Sequence, residues 1–241
     1  MKNNFIVYAH RGASEYAPEN TMTSFYMGIC MGANGIETEV RRTMDGTLVL
    51  FHDATLDRVT GQSGELAALT YDELRAIPVL HERSGRADVA VRLEDFLRYC
   101  GAQNLSLAIE LKAPDVEADV YAMVKKYNLE EKVTVTSFNF DYLVALKKAY
   151  PEAGAGYLTK EFDDDLMAKM KELGIRQICP PGAMLTPEIV EKWHAAGFNV
   201  RAWGIKDVEV MKHAYDCGVD GMTVNFPDRL IAYMVEKQRY V

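Results

Sequence analysis

Ionisable side chains recur in this sequence where short apolar runs end. Glu37 and Glu39 lie two residues apart in an extended run, so their side chains project from the same face. Glu110 and Lys112 have the same spacing at the close of a later run. Two histidines and an arginine directly follow other apolar runs: His10, Arg11 and His52. Their recurrence at the ends of early strands indicates one shared site.

These residue types together describe the hydrolysis of a phosphoester. Three carboxylates with no cysteine or histidine ligand nearby favour a hard cation, Mg²⁺ or Ca²⁺, over zinc. Histidines titrate near neutral pH and can serve as general base and general acid. An arginine and a lysine can hold the non-bridging oxygens of a phosphate, the arginine as a planar fork. Together with a metal, they would neutralise the charge that develops on a pentacoordinate phosphorus.

Each residue also has an ordinary structural interpretation. A histidine after a strand is, taken alone, more often structural than catalytic. The pair Glu37 and Glu39 could face solvent from a half-exposed strand, and Glu110 and Lys112 could form a surface ion pair. The convergence of all these residues on the ends of early strands favours the catalytic interpretation.

The elements that must position these residues alternate between short strands and helices. The eight predicted strands comprise residues 5–9, 36–40, 107–111, 133–136, 154–158, 176–179, 199–203 and 221–224. Eight β/α units in 241 residues are typical of a TIM barrel, although a doubly wound open sheet would explain the alternation almost as well. In a barrel the charged residues would meet at the carboxyl-terminal face, where TIM-barrel active sites lie.

A looser segment follows the second predicted strand. Residues 47–51 have the pattern of a further hairpin strand, and we interpret residues 54–90, approximately, as a small insertion. One short helix is predicted there, opened by Thr70 and Glu73 as a capping box. No linker is evident, so we expect a single domain over residues 1–241.

The net charge, apolar runs and cysteines of the chain indicate which ligands and which cellular compartment to expect. The formal net charge of -8 argues against a nucleic-acid backbone as the main ligand, because that ligand requires a broad basic surface. The sequence contains no uninterrupted apolar run of roughly 18 residues, and the first apolar run is too short for a signal peptide. Four scattered cysteines (Cys30, Cys100, Cys179 and Cys217) favour reduced, mostly buried thiols. We therefore expect a cytoplasmic enzyme with a small-molecule substrate and no stable membrane association.

The motifs resemble those of the glycerophosphodiester phosphodiesterase family, in the same order along almost the whole chain. They comprise HRGASEYAPENT (10–21), GIETEVRRTMDGTLVLFHDATLDRVTG (35–61), LTYDELRAIP (69–78), VRLEDFL (91–97), IELK (109–112), VRAWGI (200–205) and DGMTVNFPD (220–228). The resemblance implies a TIM barrel with a small insertion, in agreement with the strand pattern. It also implies a divalent metal cofactor, Mg²⁺ or Ca²⁺.

The same resemblance assigns roles to individual residues. His10 and His52 would be the acid–base pair, and Arg11 would bind phosphate. The metal ligands would be Glu37, Glu39 and Glu110. Four residues would border the substrate: Lys112, Asn20, Phe138 and Trp203. An N-cap role also fits Asn20, and burial within the barrel would equally explain Phe138 and Trp203.

Three positions depart from the family pattern. Glu39 replaces the usual aspartate, which extends that ligand by one methylene group. Gly204 stands where a threonine is usual, and Asn225 stands where an aspartate is usual. We expect the last two changes to alter the pocket without touching the acid–base pair.

The expected reaction is hydrolysis of a glycerophosphodiester to glycerol 3-phosphate and an alcohol such as choline or ethanolamine. The nucleophile is either water or the neighbouring glycerol hydroxyl. One alternative is the same chemistry on another diester such as a lysophospholipid, for which the insertion could supply an amphipathic helix. The others are a phosphosugar aldolase or isomerase and a non-catalytic phosphate-ester binding protein.

Overall fold

The predicted strand runs form a closed parallel barrel in a computed structural model that describes residues 5–239. In chain order the strands are β1 (Ile6–His10), β2 (Gly35–Arg42), β3 (Leu48–Leu50), β4 (Val79–His81), β5 (Arg86–Asp88), β6 (Val91–Arg92), β7 (Ser106–Leu111), β8 (Val133–Ser137), β9 (Ala155–Leu158), β10 (Gln177–Cys179), β11 (Asn199–Ala202) and β12 (Gly221–Val224). The barrel order is β1, β2, β7, β8, β9, β10, β11, β12 and back to β1, with every neighbouring pair parallel. This is a TIM barrel, and the eight predicted strands are its strands.

Helices follow the barrel strands and cover the outside of the barrel. In chain order the helices are α1 (Met22–Cys30), α2 (Asp57–Thr60), α3 (Tyr71–Arg75), α4 (Leu93–Cys100), α5 (Glu117–Lys126), α6 (Phe140–Ala149), α7 (Asp164–Glu172), α8 (Pro187–Ala195), α9 (Val208–Asp216) and α10 (Pro227–Arg239), of which α2 and α3 belong to the segment after β2. Within the part of the chain that the structure describes, no helix is long and apolar enough to cross a bilayer.

Strand alternation divides the side chains of the barrel between two environments. Outward residues such as Ile36 and Leu107 are fully buried in the same apolar core as Phe25 of α1 and Phe96 of α4. The intervening residues of β2 and β7 point inward, and these include the carboxylates singled out above. The sheet therefore presents an apolar face to the helices and a polar face to the barrel axis.

The segment after β2 forms the predicted insertion. Strand β3 pairs antiparallel with β2, and β6 pairs antiparallel with β3. Between β3 and β6 the chain forms α2, a 3₁₀ turn (Leu66–Ala68), α3 and the β4–β5 hairpin. The capping box that opens α3 is confirmed, because Thr70 and Glu73 each accept a hydrogen bond from the other's backbone N–H. The insertion has its own small apolar cluster, which includes Leu56, Leu66 and Leu74.

Candidate active site

The site is a cavity of about 400 Å³ at the carboxyl-terminal ends of the barrel strands. All the predicted site residues except Asn20 line it: His10, Arg11, Glu37, Glu39, His52, Glu110, Lys112, Phe138 and Trp203. The barrel brings together residues that are up to about 190 positions apart in the chain. The structure therefore places these side chains together at one face of the barrel, as the sequence predicted.

Three buried carboxylates form the floor of the cavity. Glu37 and Glu39 project from β2, and Glu110 lies directly across from Glu39 on β7. One carboxylate oxygen of Glu37 is buried and has no hydrogen-bond partner among the described residues. A buried, unpaired carboxylate oxygen is costly unless a cation satisfies it, so this donor set fits a metal ion.

A histidine also lies beside these carboxylates. The β1–β2 register sets His10 opposite Glu37, and His10 Nε2 lies 3.8 Å from Glu37 Oε2 and 4.0 Å from Glu39 Oε1. One ligand atom from each of these three residues lies within 4.8 Å of the others. Neighbouring parallel strands bring these side chains together, and the sequence-based assignment of carboxylates alone as metal ligands stays a prediction.

The three carboxylates differ in their tendency to ionise. Burial, with the nearby Glu39 and Glu110 charges, raises the pKa of Glu37 well above its ordinary value. Burial also raises the pKa of Glu110 to about 7, against the opposing effect of Lys112. Burial opposes ionisation of Glu39 too, but Arg11 and then the two histidines outweigh it and lower that pKa to about 2. A bound cation would stabilise the ionised form of all three.

A tight turn holds Arg11 over the carboxylates. Arg11 and Gly12 both adopt left-handed backbone conformations, with φ of 57° and 82°. A side chain at Gly12 would lie 2.4 Å from Ser24, so only glycine fits there. Arg11 Nε donates to Glu39 Oε1 at 2.8 Å, and Arg11 Nη1 donates to Glu19 Oε1 at 3.0 Å. The guanidinium is thereby held against a carboxylate of the site.

Lys112 forms the predicted ion pair, but inside the cavity and not at the protein surface. Its Nζ lies 2.8 Å from Glu110 Oε1, and both side chains are largely buried. The same Nζ lies 5.4 Å from the centroid of the Phe138 ring. Lys112 thus connects the charged side of the cavity with its aromatic side.

Each histidine of the pair is oriented through its Nδ1 atom. His10 Nδ1 lies 2.5 Å from Asn225 Oδ1, and His52 Nδ1 lies 2.6 Å from Asp53 Oδ1. Because amide and carboxylate oxygens only accept hydrogen bonds, we assign Nδ1 of each ring as the donor. The Nε2 atom of each ring is then available to exchange a proton. The expectation that Asn225 leaves the acid–base pair untouched is wrong, because β12 pairs with β1 and delivers Asn225 to His10.

Burial lowers the pKa of both histidines. For His10 the cationic Arg11 adds to burial and outweighs the opposing carboxylates, which brings the pKa to about 4. For His52 burial and Arg11 also outweigh the opposing effects of Glu39 and Asp53. Without a bound metal or substrate, both imidazoles are therefore neutral at pH 7.

Two aromatic rings form the opposite wall of the cavity. Phe138 follows β8 and Trp203 follows β11, with ring centroids 4.8 Å apart in an edge-to-face arrangement. Trp203 Nε1 donates to the backbone oxygen of Cys179 at 2.8 Å. The Phe138 side chain is 42% exposed, so burial within the barrel does not explain it. These rings give the cavity one apolar side.

Asn20 lies behind the cavity wall, and Thr21 provides the N-cap of α1. The Nδ2 atom of Asn20 donates to Glu39 Oε2 at 2.8 Å, and its Oδ1 accepts from Thr38 Oγ1 at 2.7 Å. The N-cap interpretation was wrong by one residue, because the helix begins later than the sequence pattern suggested. Asn20 orients a carboxylate of the site.

A further buried cation, Arg201, lines the cavity and was not predicted from the sequence. Arg201 projects inward from β11 and donates to Gln177 Oε1 at 3.0 Å and to Thr223 Oγ1 at 2.9 Å. It lies two residues before Trp203, so the strand alternation that directs Trp203 to the cavity also directs Arg201 inward. That spacing was the signal available in the sequence.

This cavity brings acidic, basic and imidazole side chains together at the carboxyl-terminal face of a TIM barrel, and these are residue types that the hydrolysis of a phosphate ester uses. The model of the glycerophosphoryl diester phosphodiesterase family matches residues 10–229. The chain therefore belongs to the glycerophosphoryl diester phosphodiesterase family and is a phosphoric diester hydrolase.

The chain is similar to individual proteins over almost its whole length. The chain is 33% identical over 240 residues to the uncharacterised protein YqiK of Bacillus subtilis, covering 95% of this chain and 98% of that protein. It is 30% identical over 235 residues to a glycerophosphodiester phosphodiesterase of Bacillus altitudinis, covering 93% and 96%. The crystal structure of a glycerophosphodiester phosphodiesterase from Agrobacterium tumefaciens superposes with a TM-score of 0.83 at 27% identity, covering 95% and 99%.

Proposed function

We propose that this protein hydrolyses glycerophosphodiesters to glycerol 3-phosphate and an alcohol, using a divalent metal and the histidines His10 and His52. One observation supports this most: two histidines and three buried carboxylates meet in one cavity with Arg11 and Lys112. The named activity of the Bacillus altitudinis relative supports the same substrate class. We further propose that the enzyme works in the cytoplasm, which agrees with its four unpaired cysteines.

Glu37, Glu39 and Glu110 would hold the metal, Mg²⁺ or Ca²⁺, because carboxylate oxygens suit both ions. When bound, such an ion polarises the phosphoryl oxygens and offsets their developing charge. We assign His10 to proton transfer, since the carboxylates already offer enough hard ligands. Arg11 uses Nε and Nη1 in its ion pairs, so its other terminal nitrogen can donate to a phosphate oxygen.

The two histidines would move protons on opposite sides of the phosphorus. One neutral imidazole removes the proton of the nucleophile at its Nε2. The other ring takes up a proton at Nε2 when the anionic phosphodiester binds beside it, and it gives that proton to the departing alcohol oxygen. Because both Nδ1 atoms are held by hydrogen bonds, each ring keeps its Nε2 directed at the reaction without a search among rotamers.

The nucleophile can be identified by the choice of substrate. Attack by the neighbouring glycerol hydroxyl would form a transient cyclic phosphate, and diesters without an adjacent hydroxyl would then react poorly. We expect the enzyme to hydrolyse a glycerol diester well and bis(p-nitrophenyl) phosphate poorly. Equal turnover of both compounds would remove the support for the hydroxyl route and favour water as the nucleophile.

Two alternatives receive less support. A lysophospholipid substrate would be helped by an interfacial helix, yet the α-helices of the insertion have only four and five residues. A non-catalytic binding protein would not need the oriented histidine pair. Hydrolysis of lysophosphatidylcholine at the rate of glycerophosphocholine would restore the first alternative.

The metal assignment is tested by titration calorimetry with Mg²⁺ and Ca²⁺. Wild type should bind one of these ions, and Glu39→Gln should weaken that binding at least tenfold while the protein stays folded. Equal affinity in the two proteins would remove Glu39 from the ligand set.

A further inference from the structure

Arg58 lies outside the cavity, in the short helix α2 of the insertion. Its side chain contacts two carboxylates, those of Asp53 and Glu19. Its Nε donates to Asp53 Oδ2 at 2.6 Å. The other oxygen of Asp53 accepts from His52 Nδ1 at 2.6 Å. The Asp53 carboxylate is therefore bound between the histidine ring and the guanidinium, and its orientation depends on both.

The remaining donors of Arg58 reach across to the barrel. Nη1 donates to Glu19 Oε2 at 2.8 Å, and Nη2 donates to Glu19 Oε1 at 2.6 Å. Glu19 belongs to the loop between β1 and α1, and its Oε1 also accepts from Arg11 Nη1 at 3.0 Å. The bidentate ion pair between Arg58 and Glu19 thus joins the insertion to the turn that carries Arg11.

These contacts form one continuous series of ion pairs. It runs from His52 through Asp53, Arg58 and Glu19 to Arg11, which in turn contacts the proposed metal ligand Glu39 at 2.8 Å. His52 follows the short hairpin strand β3 and is not part of a barrel strand. The pairing of β3 with β2 and a hydrogen bond from Arg41 Nε to the His52 backbone oxygen, at 2.9 Å, hold the backbone of His52, so the series of ion pairs bears on its side chain.

We propose that Arg58 is a positioning residue. It sets the tautomer of His52 and the orientation of the His52 ring relative to Arg11. A single exposed ion pair contributes little to stability, and the Arg58 side chain is 48% exposed. Arg58 contributes through geometry, because its planar guanidinium group, which has five N–H donors, can hold two carboxylates at once. A lysine at this position could reach one carboxylate but could not hold both in a fixed plane.

The expected kinetic effect separates this role from a purely structural one. Arg58→Lys and Arg58→Ala should lower kcat about 10- to 100-fold, the usual range for groups that orient a site residue, with KM changed less than about threefold. Thermal unfolding temperatures should change little. Guanidinium added to Arg58→Ala should restore part of kcat, since it can occupy the position between Asp53 and Glu19.

Arg83 supplies a matched control within the same insertion. It also forms an ion pair with a glutamate of the β1–α1 loop, Glu15, but it has no contact with Asp53 or His52 in the described structure. Its side chain is 72% exposed. Arg83→Lys and Arg83→Ala should keep wild-type kcat and should not respond to guanidinium.

The kinetic test rests on the proposed function, so a second readout is independent of turnover. In protein labelled with ¹⁵N-histidine, the His52 ring should carry its proton on Nδ1 in wild type and in Arg83→Ala. In Arg58→Ala the ring should show both tautomers, or mainly the Nε2–H form that free imidazoles prefer. An absence of turnover in wild type with this tautomer shift intact would defeat the proposed function alone.

The inference would be overturned by any of three results. The first is an Arg58→Ala protein with wild-type kcat and a wild-type His52 tautomer. The second is an equal loss of kcat in the Arg83 variants, which would show a general effect of insertion docking. The third is a fall in kcat that follows a fall in unfolding temperature and does not respond to guanidinium.

Discussion

The two sides of the cavity are built in different ways. On the side of β1, β2 and β7, side chains such as Glu39 and Glu110 are almost completely buried and joined to neighbours by ion pairs. On the side of β8 and β11, Phe138 and Trp203 contact each other, and Phe138 is 42% exposed. The charged side is rigid, as catalysis requires, whereas the aromatic side can adapt to an organic substituent.

The charged side also carries an energetic cost. Three carboxylates in a low-dielectric floor repel one another, and the raised pKa values of Glu37 and Glu110 reflect this repulsion together with burial. The aromatic side carries no such penalty. Substitutions on the two sides should therefore have different effects. Those on the charged side should strongly reduce metal binding and turnover, whereas those on the aromatic side should change KM modestly.

Among substitutions of the carboxylates and the aromatic residues, Glu37→Gln should have the largest effect. Removing this charge while keeping the shape should weaken metal binding and lower kcat/KM about a thousandfold, which corresponds to about 4 kcal/mol. Calorimetry with the preferred ion and steady-state kinetics measure the two quantities. Wild-type metal affinity in this variant would contradict the assignment of the charged side.

The pH dependence of stability tests the cost of the charged side. Because the pKa of Glu110 is raised to about 7 in the folded protein, ionising it between about pH 4.5 and pH 7 destabilises the metal-free fold. Glu110→Gln removes this term. Urea unfolding in EDTA should show the variant gaining stability relative to wild type as pH rises from 5 to 8, by on the order of 3 kcal/mol. A difference that stays constant with pH would show that Glu110 titrates normally.

The aromatic side should respond more weakly. Phe138→Ala removes the exposed ring and should raise KM about tenfold for a glycerophosphodiester, as expected for the loss of one aromatic contact of 1–2 kcal/mol. Metal affinity should remain that of wild type. A loss of metal binding equal to that of Glu37→Gln would erase the distinction between the two sides.

The smallest effect should come from Gly204→Thr, which restores the residue usual in the family. Gly204 has a left-handed backbone with φ of 68° and open space around it, so a threonine would be strained without a clash. The free energy of unfolding should fall by about 1–2 kcal/mol, and Tm should fall by a few degrees. Differential scanning calorimetry checks this, and an unchanged Tm would mean that the loop relaxes at no cost.

The barrel could be predicted from the sequence because its strands are apolar runs that end in polar residues. The β4–β5 hairpin was missed because each strand has three residues and Leu80 is exposed, so neither run shows an alternating pattern. Short, half-exposed strands leave almost no periodic signal.

The site could be predicted in its residue types but not in its hydrogen bonds. Asn225 lies 215 residues from His10, and only the closure of the barrel between β12 and β1 brings the two together. The series of contacts from His52 to Arg11 likewise depends on how the insertion docks. Motif spacing reports which strand carries a side chain, whereas a contact between distant segments depends on the packed fold.

The central claim is a metal-dependent, histidine-assisted hydrolysis of glycerophosphodiesters. The most direct measurement is the release of glycerol 3-phosphate from glycerophosphocholine and glycerophosphoethanolamine, with EDTA, Mg²⁺ or Ca²⁺, by wild type and His10→Ala. We predict turnover by wild type with at least one metal, none in EDTA, and a loss of at least a thousandfold in His10→Ala. Turnover that persists in EDTA or in His10→Ala would contradict this account.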